Sequence, residues 1–134
     1  MQVTAYLDFH GRCEEALEFY GKALGAQTVL VSRFGDSPDK SMMTPGTENK
    51  IMHATFRIGA TTLMASDGRC TGEGGFKGIS LTLDPPTIPE AERLFAALAD
   101  GGQVMMPLTK TFWSPGFGML TDRFGISWMI SVTA

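Results

Sequence analysis

Apolar and polar residues alternate along several short runs of this chain, and glycine or proline bounds most of them. Over residues 2–9, Val3, Ala5, Leu7 and Phe9 fall on one side and Thr4, Tyr6 and Asp8 on the other, which predicts a half-buried strand. Gly11 breaks it. Cys13–Leu24 carries Ala16, Leu17, Tyr20, Ala23 and Leu24 on one stripe, the mark of an amphipathic helix, and Gly25 ends it. Strands are predicted over residues 26–34, Ile51–Ile58 and Thr61–Ser66. Between the first two of these, residues 35–50 hold Asp36, Ser37, Pro38, Asp39, Pro45 and Gly46. That segment reads as a long loop without regular structure, more mobile than its flanking strands. Residues 68–77 read as a glycine-rich connector. They lack the strand, helix and Lys-Ser/Thr pair of a phosphate loop.

The same order then recurs. Residues 78–84 alternate Ile79, Leu81 and Leu83 against Ser80 and Thr82, and Pro85-Pro86 ends the run. Thr87 caps a helix, with Glu90 as its capping-box partner and Ala91, Leu94, Phe95 and Leu98 as its buried stripe. Residues 103–108, 117–122 and 127–132 read as three more strands, with Phe124-Gly125 at the tip of a hairpin. Two echoes support a repeat. Thr55-x-Arg57-x-Gly59 returns as Thr121-x-Arg123-x-Gly125, 66 positions on. Glu15-Ala16, Phe19-Tyr20 and Ala23 return as Glu90-Ala91, Leu94-Phe95 and Leu98, 75 positions on. The spacings differ by the extra length of the 35–50 loop. Each half is therefore predicted as β-α-β-β-β, one domain over residues 1–134, with unit one at about 1–67 and unit two at about 78–134.

Bulk properties narrow the function classes. The chain has 134 residues, 43% of them apolar and 19% charged, so it is globular and long enough for a core without staples. A net charge of −3 and a pI near 5.3 argue against nucleic acid as partner. Two cysteines, Cys13 and Cys70, suit a reduced cytoplasm better than a disulfide scaffold. No apolar run approaches the ~20 residues that span a bilayer, and no signal peptide opens the chain.

Several motifs carry a resemblance: Tyr6-Leu7-x-Phe9-x-Gly11-x-Cys13-x-Glu15-Ala16, Phe19-Tyr20, Met52-His53-Ala54, Met64-x-Ser66-Asp67, Phe112-Trp113, Phe117-Gly118 and Asp122-x-Phe124-Gly125-x-x-Trp128-Met129-Ile130. With the tandem units, they resemble the vicinal oxygen chelate superfamily of glyoxalase I, bleomycin-resistance proteins and extradiol dioxygenases. Within it they resemble the PhnB-like branch, once labelled 3-demethylubiquinone-9 3-methyltransferase-like. The resemblance implies an α+β fold. Two tandem βαβββ units form a half-open barrel, helices outside and a cavity inside. It also implies a homodimer.

Joined to that architecture, the alternation assigns faces. Val3, Ala5, Leu7, Ala54, Phe56 and Ile58 should pack on the helices. Thr4, Tyr6, Asp8, His53, Thr55, Arg57, Ser80, Thr82, Met119, Thr121, Arg123, Ser127, Met129 and Ser131 should face the cavity. Superfamily enzymes hold a divalent metal with His or Gln from the first strand of a unit and Glu from the last. Here those places hold Thr4 or Tyr6, Gly78 or Ser80, Leu63 and Met129, so no metal site and no cofactor are expected. No glycine-rich turn supports a methyltransferase.

The leading expectation is a small-molecule-binding protein whose ligand meets Tyr6, Asp8, His53, Thr55, Arg57, Phe112, Trp113, Met119, Thr121 and Met129. His53 is the best candidate for catalysis, as a base or acceptor, or else a structural histidine at the wall. Arg57 and Arg123 either bind an anion through their planar fork or pair with Asp8, Asp67 or Asp122. Trp113 with Phe112 either lines a pocket or bridges two subunits. Cys13 sits at a helix start, where a thiolate is favoured, or simply packs. The alternatives are a metal-dependent lyase, isomerase or dioxygenase using His53 with Asp8 or Tyr6, and an interaction protein that uses its C-terminal aromatic hairpin.

Overall fold

The computed structural model describes residues 1–39, 41, 43–68 and 75–133. Cys70 and most of the glycine-rich connector lie outside them. The chain forms two compact units, Met1–Gly74 and Gly75–Ala134. Unit one contains strand β1 (Tyr6–Asp8), helix α1 (Cys13–Leu24), strand β2 (Gln27–Arg33), a 3₁₀ turn (Phe34–Asp36), and strands β3 (Ile51–Ile58) and β4 (Thr61–Ser66). Unit two contains β5 (Ser80–Leu83), α2 (Ile88–Ala99), β6 (Gln103–Thr109), β7 (Phe117–Thr121) and β8 (Ser127–Ser131).

Each unit makes one four-stranded sheet with the same permutation, β1-β4-β3-β2 in the first and β5-β8-β7-β6 in the second. The first strand pairs parallel with the last, and the other pairs are antiparallel. The fold is thus α+β with two βαβββ units. Among the described residues, no helix is long and apolar enough to cross a membrane.

One face of each sheet packs on its helix. Ala54 and Phe56 of β3 are buried, and the Phe56 ring stacks on Tyr20 of α1 with centroids 6.4 Å apart. In unit two, Leu120, Trp128 and Ile130 are buried toward α2. The helix comes so close that a Cβ on Gly118 would meet Phe95 Cε2 at 2.8 Å, so any larger residue there would have to push that ring aside. Burying a side chain such as Phe56 contributes roughly 2–3 kcal/mol, which is why register follows the apolar set.

Three readings need correction. The strand predicted over residues 2–9 forms only at Tyr6–Asp8, and Val3 is fully exposed. Pairing with β4, not alternation, sets its length, and β4 pairs with Tyr6, Leu7 and Asp8. Second, the Thr-x-Arg-x-Gly echo does not mark equivalent positions. Thr55 lies within β3 opposite Met64, whereas Thr121 ends β7 and pairs with Ser127 across a longer turn. Gly125 takes φ +90° in that turn, as the hairpin reading required. Third, Leu63 is buried on the helix face of β4, 4% exposed, so the open-face residue of that strand is Met64. In the 35–50 segment the described residues beyond the 3₁₀ turn form no helix or strand. Its base is closed by Phe34 N–H to Lys50 O and Gly35 N–H to Glu48 O.

Candidate functional site

The open face of the first sheet carries a connected polar group. Met64 pairs with Tyr6 on one side and Thr55 on the other, so β4 lies between the two. The Tyr6 side chain reaches over β4 to His53, with Oη 3.1 Å from Nδ1 and the ring centroids 5.6 Å apart. His53 Nε2 lies 3.2 Å from Thr55 Oγ1, two residues along the same face of β3. With the ring proton on Nε2, Tyr6 O–H donates to Nδ1 and Nε2–H donates to Thr55. Such a chain holds the imidazole at a fixed angle and links it to a phenol that is half exposed.

Arg57 continues that face. It is exposed and forms no hydrogen bond or ion pair with the described residues. It pairs with none of Asp8, Asp67 or Asp122, and its planar fork is available to a carboxylate or phosphate. Asp8 belongs to the same strand face as Tyr6, yet it does not join His53. Its carboxylate accepts the His10 backbone N–H at 2.9 Å and lies 3.5 Å from His10 Nδ1. His10 has φ +50°, the one positive non-glycine value among the described residues, and Asp8 holds that turn.

The open face of the second sheet is softer. Thr82, Met129, Met119 and Met106 line up across four strands, with Ser80, Ser127, Thr121 and Gln103 in the row beside them. Arg123 is not on this face. It lies in the β7–β8 turn, where Nε and Nη2 donate to Asp100 O at 3.1 and 3.0 Å, and Nη2 lies 3.3 Å from Asp100 Oδ2. Phe112 and Trp113 sit on the loop after β6. Phe112 is 98% exposed and stands edge-on to Trp113 at 4.7 Å, and Trp113 stands edge-on to Phe117 at 5.3 Å.

Two buried carboxylates turn out to be structural. Asp67 accepts the backbone N–H of Cys13 at 2.7 Å and of Ile51 at 2.8 Å, so it caps α1 from outside the helix. Asp122 accepts from Phe124 and Ile126 N–H, and from the Trp128 indole at 2.8 Å. Cys13 is fully buried. Desolvation first, then the charges of Asp67, Asp8 and Glu14, push its thiol up to about 12, so helix-start stabilisation of a thiolate does not operate here.

The superfamily's metal does not fit these residues. The open-face groups on the first and last strands are Tyr6, Met64 and Asp8 in unit one, the last engaged with His10, and Ser80, Thr82 and Met129 in unit two. Thioethers and hydroxyls are poor ligands for a hard divalent ion. Of the other donor set, Tyr6 meets His53 but Asp8 is turned to His10, which leaves one imidazole and one phenol without a carboxylate. Among the described residues, no three His, Cys, Asp or Glu side chains gather closely enough to hold a metal. Sequence reasoning missed Met64 as the residue between Tyr6 and Thr55. The parity of Leu63 and Ala65 against Met64 and Ser66 was the available signal.

The family model described as 3-demethylubiquinone-9 3-methyltransferase matches residues 1–131. The chain belongs to that family. It is 36% identical to protein YjdN of Escherichia coli (strain K12), over 98% of this chain and 95% of that one. The crystal structure of protein PA1353 from Pseudomonas aeruginosa superposes with a TM-score of 0.87 at 45% identity, covering 99% of this chain and 98% of that chain. The PhnB protein from Bacillus cereus superposes with a TM-score of 0.84 at 31% identity, covering 99% and 100%. A glyoxalase/bleomycin resistance protein/dioxygenase family enzyme from Burkholderia phytofirmans, at 15% identity and a TM-score of 0.60 over 98% and 96% of the two chains, shares the fold alone. The chain is thus a PhnB-like protein of the glyoxalase/bleomycin-resistance fold. Neither of its strand-to-helix junctions, His10-Gly11-Arg12 or Asp84 to Thr87, has the glycine-rich turn that opens a nucleotide-binding helix.

Proposed function

We propose that this PhnB-like chain is a cytoplasmic homodimer that binds a small organic molecule through the open face of its first sheet. The observation that carries the reading is the Tyr6–His53–Thr55 hydrogen-bond chain beside an exposed Arg57 that has no ion pair among the described residues. A polar group held this tightly on a surface that the fold does not use points outward, to a ligand. Arg57 suits a carboxylate or phosphate, and the half-exposed phenol of Tyr6 suits a donor or acceptor beside it. Met119 and Met129, with Thr121, give the open face of the second sheet an adaptable apolar surface of its own. Exposed Val29, Leu30 and Val31 on edge strand β2, with Phe112 and Trp113, support a second subunit. The two cysteines support a reducing compartment.

The test is a thermal-shift screen of small carboxylates and phosphate esters against wild type, His53→Ala and Arg57→Ala. A ligand near a hundred times its Kd stabilises the native state by about 2.7 kcal/mol. Each variant should lose at least about tenfold in affinity while keeping the Tm of the free protein within about 2 °C, since both side chains lie on a wetted face. A ligand whose shift is the same in all three proteins would place binding elsewhere.

A further inference from the structure

Unit two contains a cleft of about 160 Å³. Ile88, Ala91, Leu108 and Val132 form its apolar walls, and Glu92 and Lys110 stand at its rim. The repeat explains its origin. Helices α1 and α2 are both 12 residues long, and strands β2 and β6 are both 7. Matched start to start, Leu17 corresponds to Glu92, and Phe34, just past β2, corresponds to Lys110, just past β6. Leu17 and Phe34 are both buried. Unit one therefore buries two apolar side chains where unit two places a glutamate and a lysine in solvent.

The loop after β6 carries an aromatic residue of its own. Phe112, two positions past Lys110, is 98% exposed. The loop that carries it is held in place. Thr111 N–H donates to Ser114 O, and Ser114 Oγ lies 2.9 and 2.8 Å from the carbonyl oxygens of Gly116 and Val132. Trp113 braces the Phe112 ring edge-on. A fixed, fully exposed phenylalanine contributes nothing to the fold of its own unit.

We propose that Phe112 fills this cleft in a second copy of the chain, and that the exchange is two-fold. This deepens the homodimer reading and rests on it. The size agrees, because an aliphatic-lined cavity of about 150 Å³ takes up benzene. The charges agree as well. Glu92 and Lys110 form no ion pair or hydrogen bond with the described residues. Both stand at the rim of the cleft, and Lys110 lies two positions before the plug. In a two-fold contact, what one copy does to the other is returned, so each Lys110 approaches Glu92 of the second copy.

Sedimentation equilibrium on wild type, Phe112→Ser and Ile88→Trp tests the exchange. Ile88 is 44% exposed at the cleft, so a tryptophan there obstructs it. Each variant should raise the dimer dissociation constant by at least about a hundredfold, since two aromatic plugs are lost. An equimolar mixture should recover a heterodimer, because one intact Phe112 then meets one intact cleft. Circular dichroism of Phe112→Ser should match wild type, as the residue is 98% exposed. A wild-type monomer at tens of micromolar would overturn both this proposal and the homodimer reading. A Phe112→Ser dimer of wild-type affinity would overturn the plug alone.

Discussion

The two units reach one topology with different means of closing it. Helix α1 has no side-chain cap of its own at Arg12, and its N-terminus is held by Asp67, 54 positions away. Helix α2 is capped locally, with Thr87 Oγ1 accepting the Glu90 N–H at 3.3 Å. The same Asp67 carboxylate accepts the Ile51 N–H, so it ties helix, β3 and the end of β4 together. In unit two the comparable carboxylate, Asp122, ignores the helix and holds its own hairpin turn. A buried carboxylate that accepts two or three N–H groups can therefore serve either long-range or local order, and only its neighbours decide which.

The largest effect is expected at Asp122. Asp122→Ala removes three accepted bonds and leaves a buried indole N–H without a partner. Unfolding by denaturant should show a loss of about 3–5 kcal/mol. Asp122→Asn should recover only part of this, because its amide N–H₂ or its oxygen can serve the indole or the backbone donors but not all of them. A smaller effect comes from the helix caps. Asp67→Ala should cost about 2–4 kcal/mol and Thr87→Ala about 1 kcal/mol. Equal costs would show that the cross-unit difference in capping has no energetic meaning.

Alkaline titration sharpens the contrast further, because unit one alone buries a thiol at the helix start. The Cys13 thiol is raised from about 9.0 to about 12 by burial and nearby carboxylates. Between those values the unfolded chain loses its proton while the folded chain keeps it. The folded state then binds more protons, so stability falls as pH rises, by at most about 1.4 kcal/mol per pH unit. Below pH 9 this contribution is fully present. Cys13→Ala should flatten the Tm profile above pH 9, and Cys13 should resist alkylation until the protein unfolds.

The smallest effect concerns Glu14 and Arg33, which meet at 2.6 Å and join α1 to β2; the matching positions in unit two are Pro89 and Thr109. The hydrogen bond from Arg33 first, and its charge, hold the Glu14 carboxyl below its usual range. A depressed carboxyl stabilises the fold above its ordinary value of 4.5 and loses that effect as pH falls through the folded value. Glu14 is 60% exposed, so solvent screening reduces the pair to under about 0.5 kcal/mol. Glu14→Gln should shift Tm by no more than about 2 °C, and high salt should erase the difference.

Most of the fold was legible in the chain. Ala54 and Phe56 against His53 and Thr55, or Trp128 and Ile130 against Ser127 and Met129, set strand faces because the pleat has a period of two and one face must be buried. The two helices were legible from their stripes and caps. The site was legible in part. His53, Thr55 and Tyr6 were placed on one face by parity, but their bonding was not. The reach of Tyr6 over β4 depends on which strand lies between β1 and β3, and a parallel pairing between distant strands leaves no local mark.

Residue pattern alone determined the two βαβββ units and the helix stripes. It determined these because burial is decided residue by residue, through periodicity. Tertiary structure decided the rest. It turned Asp8 to His10 and left Arg57 without an ion pair among the described residues. It gave Arg123 to Asp100 and Asp67 to a helix 54 residues away, and it stopped β1 at three residues. These are matters of which polar group finds which partner, and partners distant in sequence become neighbours only when the strands have paired.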